Sequence, residues 1–299
     1  MLEKSPHFSV IINVHNGEHY LRSAIESVFS QSFGDFELLI WDNNSNDQTN
    51  QIAQEAANSD SRVSVIKAKI KTSLYEARNQ ALKRTSGKFI AFLDSDDSWR
   101  QDKLSVASKR FGADNIDVFY SNFEFRNLNN HVSKIAYRAP LPEGFVQSKL
   151  ASNYTVALST IVFRRQVLNK LEGPFDTRFS IIGDFDAILR LAGFAKFGVS
   201  DLPLATIGVH SENLSSTAIE TRVDEVDKWS VQEHSTESVK KGVFRRARAS
   251  LLLDIALSQH KSKANRFFRI SYLCVTSAVL IVLPSKLRWW LKNKEPIAR

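Results

Sequence analysis

Cysteine is almost missing from this 299-residue chain, with Cys274 standing alone. No internal disulfide can form and no thiolate zinc cluster can be built, which suits a reducing compartment. The turn after the first apolar run, "HNGEHY", holds one glycine, so there is no G-x-G-x-x-G fingerprint. No G-x-x-x-x-G-K-[ST] loop occurs anywhere. Dinucleotide oxidoreductases and P-loop NTPases are therefore poor readings. The opening, "MLEKSPHFSVIINVHNG", has charges but no long apolar leader, and the expectation is an unsecreted, cytoplasmic protein. There is no low-complexity tract and no internal repeat of solenoid period. Negative charge is in deficit, 32 acidic against 40 basic residues, giving +8 and a pI near 9.5. Such an excess serves either a solubilising surface or an anionic partner.

What is present is an alternation. "FSVIINV" at 8–14 is a β-branched apolar run of the kind buried on both faces of a sheet. "YLRSAIESVFSQ" follows with apolar residues at helical spacing. "FELLIWD" at 36–42, "NQIAQEAA", "VSVIKA" at 63–68, "SLYEARNQALKRT" and "GKFIAFLD" at 87–94 continue the series. Strand–helix alternation of this kind predicts a parallel sheet covered on both faces, with ligands at the carboxyl ends of its strands. Polar residues stand at three of those ends: Asn13 and His15, Asp42, and Asp94. From about 117 the pattern changes. "IDVFYSNFEFR" and "TVALSTIVFRR" read as strands with no helix between them, "GDFDAILRLAGF" as an amphipathic helix, and "PLATIGVHSENLSS" as a strand entering a polar loop. Beyond about 218 the chain reads as almost entirely helical.

The stretch "FLDSDDSW", Phe92 to Trp99, sets three carboxylates, Asp94, Asp96 and Asp97, at the end of a buried strand. Two carboxylates one residue apart can face one side and grip a hard divalent cation, Mg²⁺ or Mn²⁺, with coordination positions left for substrate phosphates. The plainer alternative is a solvated acidic loop in which Asp97 or Ser98 caps the next helix.

Taken in order, "FSVIINVHNGEHYLRSAIESVFSQSFGDFELLIWDNNSNDQT", "ARNQAL" and "GKFIAFLDSDDSW" closely resemble the opening of family 2 inverting glycosyltransferases, strongly over residues 7–105 and again, more weakly, around "GDFDAILRLA" and "VHSENLS". The resemblance implies the A-type α/β fold, with a Rossmann-like nucleotide-sugar half (1–105), a mixed-sheet acceptor half (106–217) and a helical C-terminal region (218–299). It implies that Asn13 and His15 border the base and ribose and that Asp42 holds the nucleobase. Arg78 is implied to lie near the nucleotide, Asp94 toward the ribose, and Asp96 on a metal bound to the diphosphate. Asp184 is implied as the catalytic base, with Asp186 beside it, and His210 near the metal or diphosphate. The chain departs from the family pattern at five points. Asn13 and Val14 replace proline and threonine, His15 a frequent tyrosine, Asn43 a second acid, Gly183 the glutamate before the base, and Gly208 a basic residue two positions before His210.

The activity so implied is metal-dependent, inverting transfer of a sugar, hexosyltransferase-like. The donor is a nucleotide-sugar, uridine-linked by expectation, and the acceptor a glycan or lipid-linked glycan in cell-envelope polysaccharide assembly. The cofactor is Mn²⁺ or Mg²⁺, and no nucleic acid is expected as a partner. A non-catalytic relative that binds nucleotide-sugar or glycan as a scaffold is the alternative. In the tail, the apolar stretch Ile270–Leu283 is about 14 residues long and ends at Pro284, short of the roughly 20 residues a spanning helix needs. With Trp289, Trp290 and basic flanks, residues 264–299 read either as a helix packed on the protein or as a peripheral contact at the inner face of the membrane.

Overall fold

The computed structural model describes residues 5–138, 140–210 and 219–230. Its strands are β1 (Phe8–Val14), β2 (Phe36–Asp42), β3 (Val63–Lys67), β4 (Phe89–Phe92), β5 (Ser98–Trp99), β6 (Val118–Asn127), β7 (Ser133–Ile135), β8 (Ile161–Arg164) and β9 (Phe197–Val209). Its helices are α1 (Leu21–Phe29), α2 (Thr49–Ser59), α3 (Leu74–Leu82), α4 (Lys103–Ala113), α5 (Gln147–Ser152), α6 (Arg165–Leu168), α7 (Gly183–Ala192) and α8 (Ile219–Ser230).

Eight strands run in the order β3-β2-β1-β4-β8-β6-β9-β5, and β7 pairs with β6. The first four are parallel, as the strand–helix alternation predicts. β1 is central and every one of its seven residues is buried, which is why its sequence is a continuous apolar run rather than an alternation. The chain steps from β1 outward to β3, then returns through α3 to β4 on the other side of β1. Right-handed crossovers put that returning helix on the face opposite α1 and α2. The reversal opens a crevice at the carboxyl ends of β1 and β4, and α3 borders it.

From β4 onward the sheet becomes mixed. β8 is antiparallel to β4 and to β6, while β9 runs parallel to β6 with a register shift around Asn122. This is the α/β architecture with a mixed second half that the sequence implies. Two details differ. "TVALSTIVFRR" is not one strand, because residues 158–160 form a 3-10 turn and β8 starts only at Ile161. The Thr160 hydroxyl and N–H both donate to the Ala157 carbonyl, which curls the chain before it can extend. A short helix, α5, also stands between β6 and β8, where strands without helices are expected.

The chain divides into two compact units. The first holds residues up to 146 together with 156–210 and contains the whole sheet; the second holds 147–155 and the chain beyond 210, including α8. Among the described residues no helix is long and apolar enough to cross a membrane. The expectations for the tail at 264–299 lie outside the described residues.

Candidate active site

The three clustered carboxylates turn out to have three different sets of neighbours. Asp94 accepts a 2.5 Å hydrogen bond from Arg78 Nη2, and its own backbone N–H donates to Ser159 Oγ. Asp96 Oδ2 lies 3.1 Å from His210 Nε2, an imidazole that also stacks on Tyr20 with ring centroids 4.6 Å apart. Asp97 is buried; its Oδ2 accepts from Ser159 Oγ at 2.6 Å and its Oδ1 from the Gly208 N–H at 2.9 Å. Mutual repulsion is thus offset pairwise, and Asp97 anchors the loop instead of capping α4. The reading of Asp97 or Ser98 as an N-cap is corrected: the residue before α4 is Asp102, and Ser98 lies in β5.

Gly208 shows why the loop holds its shape. A Cβ at that position would stand 2.1 Å from the Asp96 carbonyl oxygen and 3.0 Å from Leu128 Cδ1. β9 therefore approaches the acidic loop backbone to backbone. The basic residue that the resemblance expects at this point has no room.

On the other side of the crevice, α3 presents Tyr75 and Arg78 one turn apart, hence on one face. Ser73 caps the helix by accepting the Glu76 N–H. Arg78 is 4% exposed, so the reading of it as a solvated helix charge fails. Its guanidinium pairs with Asp94 and lies 5.6 and 5.7 Å from the ring centres of Tyr75 and Phe175. Tyr75, also buried, donates its hydroxyl to Asp184 Oδ1 at 3.2 Å. Burial, and then the Asp184 charge, push the phenol's pKa well above 10.0, so it stays a donor.

Asp184 sits in the first turn of α7 and accepts the Phe185 N–H at 2.9 Å. It keeps part of its surface open while the carboxyl lies deep among protein atoms. Burial raises its pKa above the usual 3.8, the Asp94 charge adding to the rise. Arg78, the Phe185 N–H and the Tyr75 hydroxyl pull the other way. A carboxyl raised toward neutrality and open on one side is what a general base needs. Asp186 has a different fate, buried and paired with Arg190 at 2.7 Å.

The ends of β1 and β2 form a third corner. Asp42 is fully buried; its Oδ1 accepts the Ser45 N–H, while its Oδ2 has no hydrogen-bond partner within the protein. Asn13, opposite Trp41 in the ladder, leaves both amide atoms buried and unpartnered, and the Trp41 indole N–H is likewise unpaired. Buried polar atoms without partners are uncommon enough to mark a place where a ligand or water completes them. His15 Nδ1 lies 3.1 Å from the Asn43 carbonyl. Asn43 itself turns away from the crevice, with Nδ2 donating to the Thr72 carbonyl and Oδ1 accepting the Thr72 N–H. A second carboxylate there would face a carbonyl it cannot bond, which accounts for the amide.

For a divalent cation, the donors at hand are the Asp96 carboxylate and the His210 imidazole. Among the described residues no cluster of three or more acidic, histidine or cysteine side chains forms a closed cage. Two protein donors beside an open crevice fit Mn²⁺ or Mg²⁺, which complete their shells with water and substrate phosphate. The structure thus joins Arg78 to Asp94 and Asp96 to His210, with Asp184 within the electrostatic reach of the first pair. Asn13, His15 and Asp42 gather separately at the β1–β2 edge. Tyr75 and Ser159 belong to no motif; only the missing side chain at Gly183 hints that something else fills that space.

Residues 9–172 match the model of the family described as Glycosyl transferase family 2. Among curated relatives, the UDP-Glc:alpha-D-GlcNAc-diphosphoundecaprenol beta-1,3-glucosyltransferase WfgD of Escherichia coli is 36% identical over 167 residues, 56% of this chain and 64% of the relative. That match thus spans just under two thirds of WfgD. The putative teichuronic acid biosynthesis glycosyltransferase TuaG of Bacillus subtilis is 38% identical over 216 residues, 72% of this chain and 84% of the relative. Among solved structures, Staphylococcus aureus TarS 1–349 in complex with UDP aligns with a TM-score of 0.64 at 21% identity, covering 95% of this chain and 86% of that one. The mannosyltransferase PcManGT from Pyrobaculum calidifontis, in complex with GDP-Man and Mn²⁺, aligns at 0.60 and 16% identity, covering 97% and 89%. These two likenesses concern the fold, which is the A-type fold that the resemblance implies.

Proposed function

The chain belongs to glycosyl transferase family 2 and is a glycosyltransferase; from that premise we propose metal-dependent, inverting transfer of a sugar from a uridine diphosphate donor to a lipid-linked glycan, in assembly of a cell-envelope polysaccharide. The observation that carries this reading is the half-open Asp184 carboxyl, its pKa raised by burial, held beside the Arg78–Asp94 pair. The names of WfgD, with its UDP-glucose donor and diphosphoundecaprenol-linked acceptor, and of TuaG support the donor and acceptor classes. The Mn²⁺ complex of PcManGT supports the cation.

In this reading residues 1–105 form the donor half and 106–217 the acceptor half. Asp42 and Asn13 offer their unpaired buried atoms to the uracil ring, with His15 along its rim. Asp94, fixed by Arg78, accepts hydrogen bonds from the ribose. Asp96 and His210 hold the cation, which when bound supplies positive charge to the diphosphate as a Lewis acid. Asp184 takes the proton of the acceptor hydroxyl as that oxygen bonds to the anomeric carbon from the face opposite the diphosphate. The bond from that carbon to the diphosphate oxygen breaks, and uridine diphosphate leaves with the electron pair. The basic tail is proposed to rest on the cytoplasmic side of an anionic membrane, where a lipid-linked acceptor is found.

The scaffold alternative rests on the departures at Asn13, Asn43 and Gly183. Two of these have local reasons, in the Thr72 contacts and the Tyr75 ring. The test is calorimetric titration of UDP with and without Mn²⁺, together with turnover of UDP-sugars. The expected result is binding that EDTA abolishes and that Asp96→Ala weakens by at least tenfold, with transfer lost. Equal UDP affinity with and without the cation would overturn the metal assignment.

A further inference from the structure

Gly183 opens α7 where the family resemblance expects glutamate, and the space around it is taken. A Cβ on Gly183 would lie 2.7 Å from Cδ2 and Cε2 of Tyr75 and 2.8 Å from its Cγ. The Tyr75 ring therefore lies flat against the first residue of the helix that carries Asp184. Its far face stacks toward Phe175, centroids 6.0 Å apart and planes within 16°. The ring is 2% exposed and wedged between Phe175 and the α7 N-terminus, so the hydroxyl has little freedom to swing away. It donates to Asp184 Oδ1. We propose that Tyr75 is a positioning residue for the catalytic base: its ring occupies the place of the side chain missing at 183, and its hydroxyl fixes the Asp184 carboxylate toward the crevice.

This rests on the reading of Asp184 as the base. A carboxylate with one oxygen tied to the Phe185 N–H and the Tyr75 hydroxyl keeps the other for the acceptor proton. A free rotor would present the second oxygen only part of the time, and orientation of the reacting group is worth orders of magnitude in rate. The arrangement also ties base to donor, because Arg78, one turn along α3 from Tyr75, holds Asp94. Tyr75 and Arg78 thus leave the same helix face toward opposite ends of the reaction. The charged and titratable groups that bear on Asp184 are Tyr75 and Arg78 from α3 and Asp94 from the loop after β4. On its own helix, Asp186 is engaged by Arg190, whose guanidinium also donates to the Pro174 carbonyl.

The experiment is a carboxyl ¹³C NMR titration of the full chain labelled at aspartate, with the Asp184 signal identified by its loss in Asp184→Asn. Tyr75→Phe keeps the ring and removes the donor. The Asp184 midpoint is expected to rise by about one to two pH units, the usual worth of one hydrogen bond to the charged form. Gly183→Ala, which forces the ring aside, is expected to raise it in the same direction. In turnover, the acid limb of the kcat profile of Tyr75→Phe should move up with the midpoint while the donor KM stays unchanged. A midpoint unmoved in Tyr75→Phe overturns the proposal, and so does one unmoved in Gly183→Ala, which also serves should Tyr75→Phe fail to fold. Absence of transfer from any UDP-sugar by the native chain strikes the proposed function instead, and the titration still reads the Tyr75–Asp184 contact.

Discussion

At the scale of the residue, Asp184 is in tension with the fold that holds it. Its folded pKa lies above the unfolded value of 3.8, chiefly through burial. The sign follows by linkage: the folded chain binds this proton more tightly, so the group's stabilising contribution is full below pH 3.8. It is lost as pH rises through the folded value, and at neutral pH the ionised carboxylate costs stability. Asp184→Asn keeps an acceptor for the Phe185 N–H and the Tyr75 hydroxyl but cannot take a proton. It is expected to melt above the native protein at pH 7 while transfer falls by roughly 10²-fold or more, the usual worth of a general base. Calorimetric scans beside turnover decide this. A variant that loses no activity would move the base elsewhere, first to Asp186, although the Arg190 pair makes that carboxylate a poor acceptor.

At the scale of the element, β9 and the acidic loop depend on each other through one missing side chain. Gly208→Ala puts a methyl 2.1 Å from the Asp96 carbonyl, where backbone and not a flexible tip must give way. The Gly208 N–H bond to Asp97 then loosens with it. We expect Mn²⁺-dependent UDP affinity to fall by about tenfold or more and Gly208→Lys to be no better, despite supplying the cation the family pattern has there. Unchanged affinity in Gly208→Ala would show the loop to be more forgiving than its contacts suggest.

The alternation of β1 to β4 with α1 to α3 was legible because buried parallel strands and amphipathic helices write their periodicities into consecutive residues. So was the position of Asp94 and Asp96, at the end of such a strand. Tyr75, Ser159 and Gly208 were not legible, because each acts through a partner 62 to 111 residues away. No local pattern records such a distance. The 3-10 turn at 158–160 escaped for a different reason: "ALSTIVF" is composed like a strand, and its composition does not show that the Thr160 hydroxyl and N–H both return to the Ala157 carbonyl.

At the scale of the whole molecule, Lys103 is the group that most visibly links stability to pH. It is fully buried in α4, its ammonium bonded to the Thr160 carbonyl and 5.3 Å from the Trp99 ring. Burial lowers its pKa from 10.5 to about 7. Between those two values the unfolded chain holds a proton that the folded chain gives up, so stability rises with pH across that window. Lys103→Met should flatten the rise. Urea unfolding at pH 7 and pH 9.5 would show it, and an equal increment in both proteins would remove Lys103 from the account.

The loop that carries Asp94, Asp96 and Asp97 belongs by position to the first half of the chain, yet the second half grips it. Ser159 bonds Asp97 and receives the Asp94 N–H, the Trp99 indole N–H donates to the Ser159 carbonyl, and Gly208 meets Asp96 and Asp97. Hybrids made by joining one relative's chain up to residue 105 to the remainder of another would therefore not exchange properties cleanly at that point. A graft that changes acceptor preference has to carry residues 158–160 and 206–210 from the same parent as 94–99. Diversification by recombination in such a chain favours crossovers outside that knot, whereas point substitution around it can proceed one residue at a time.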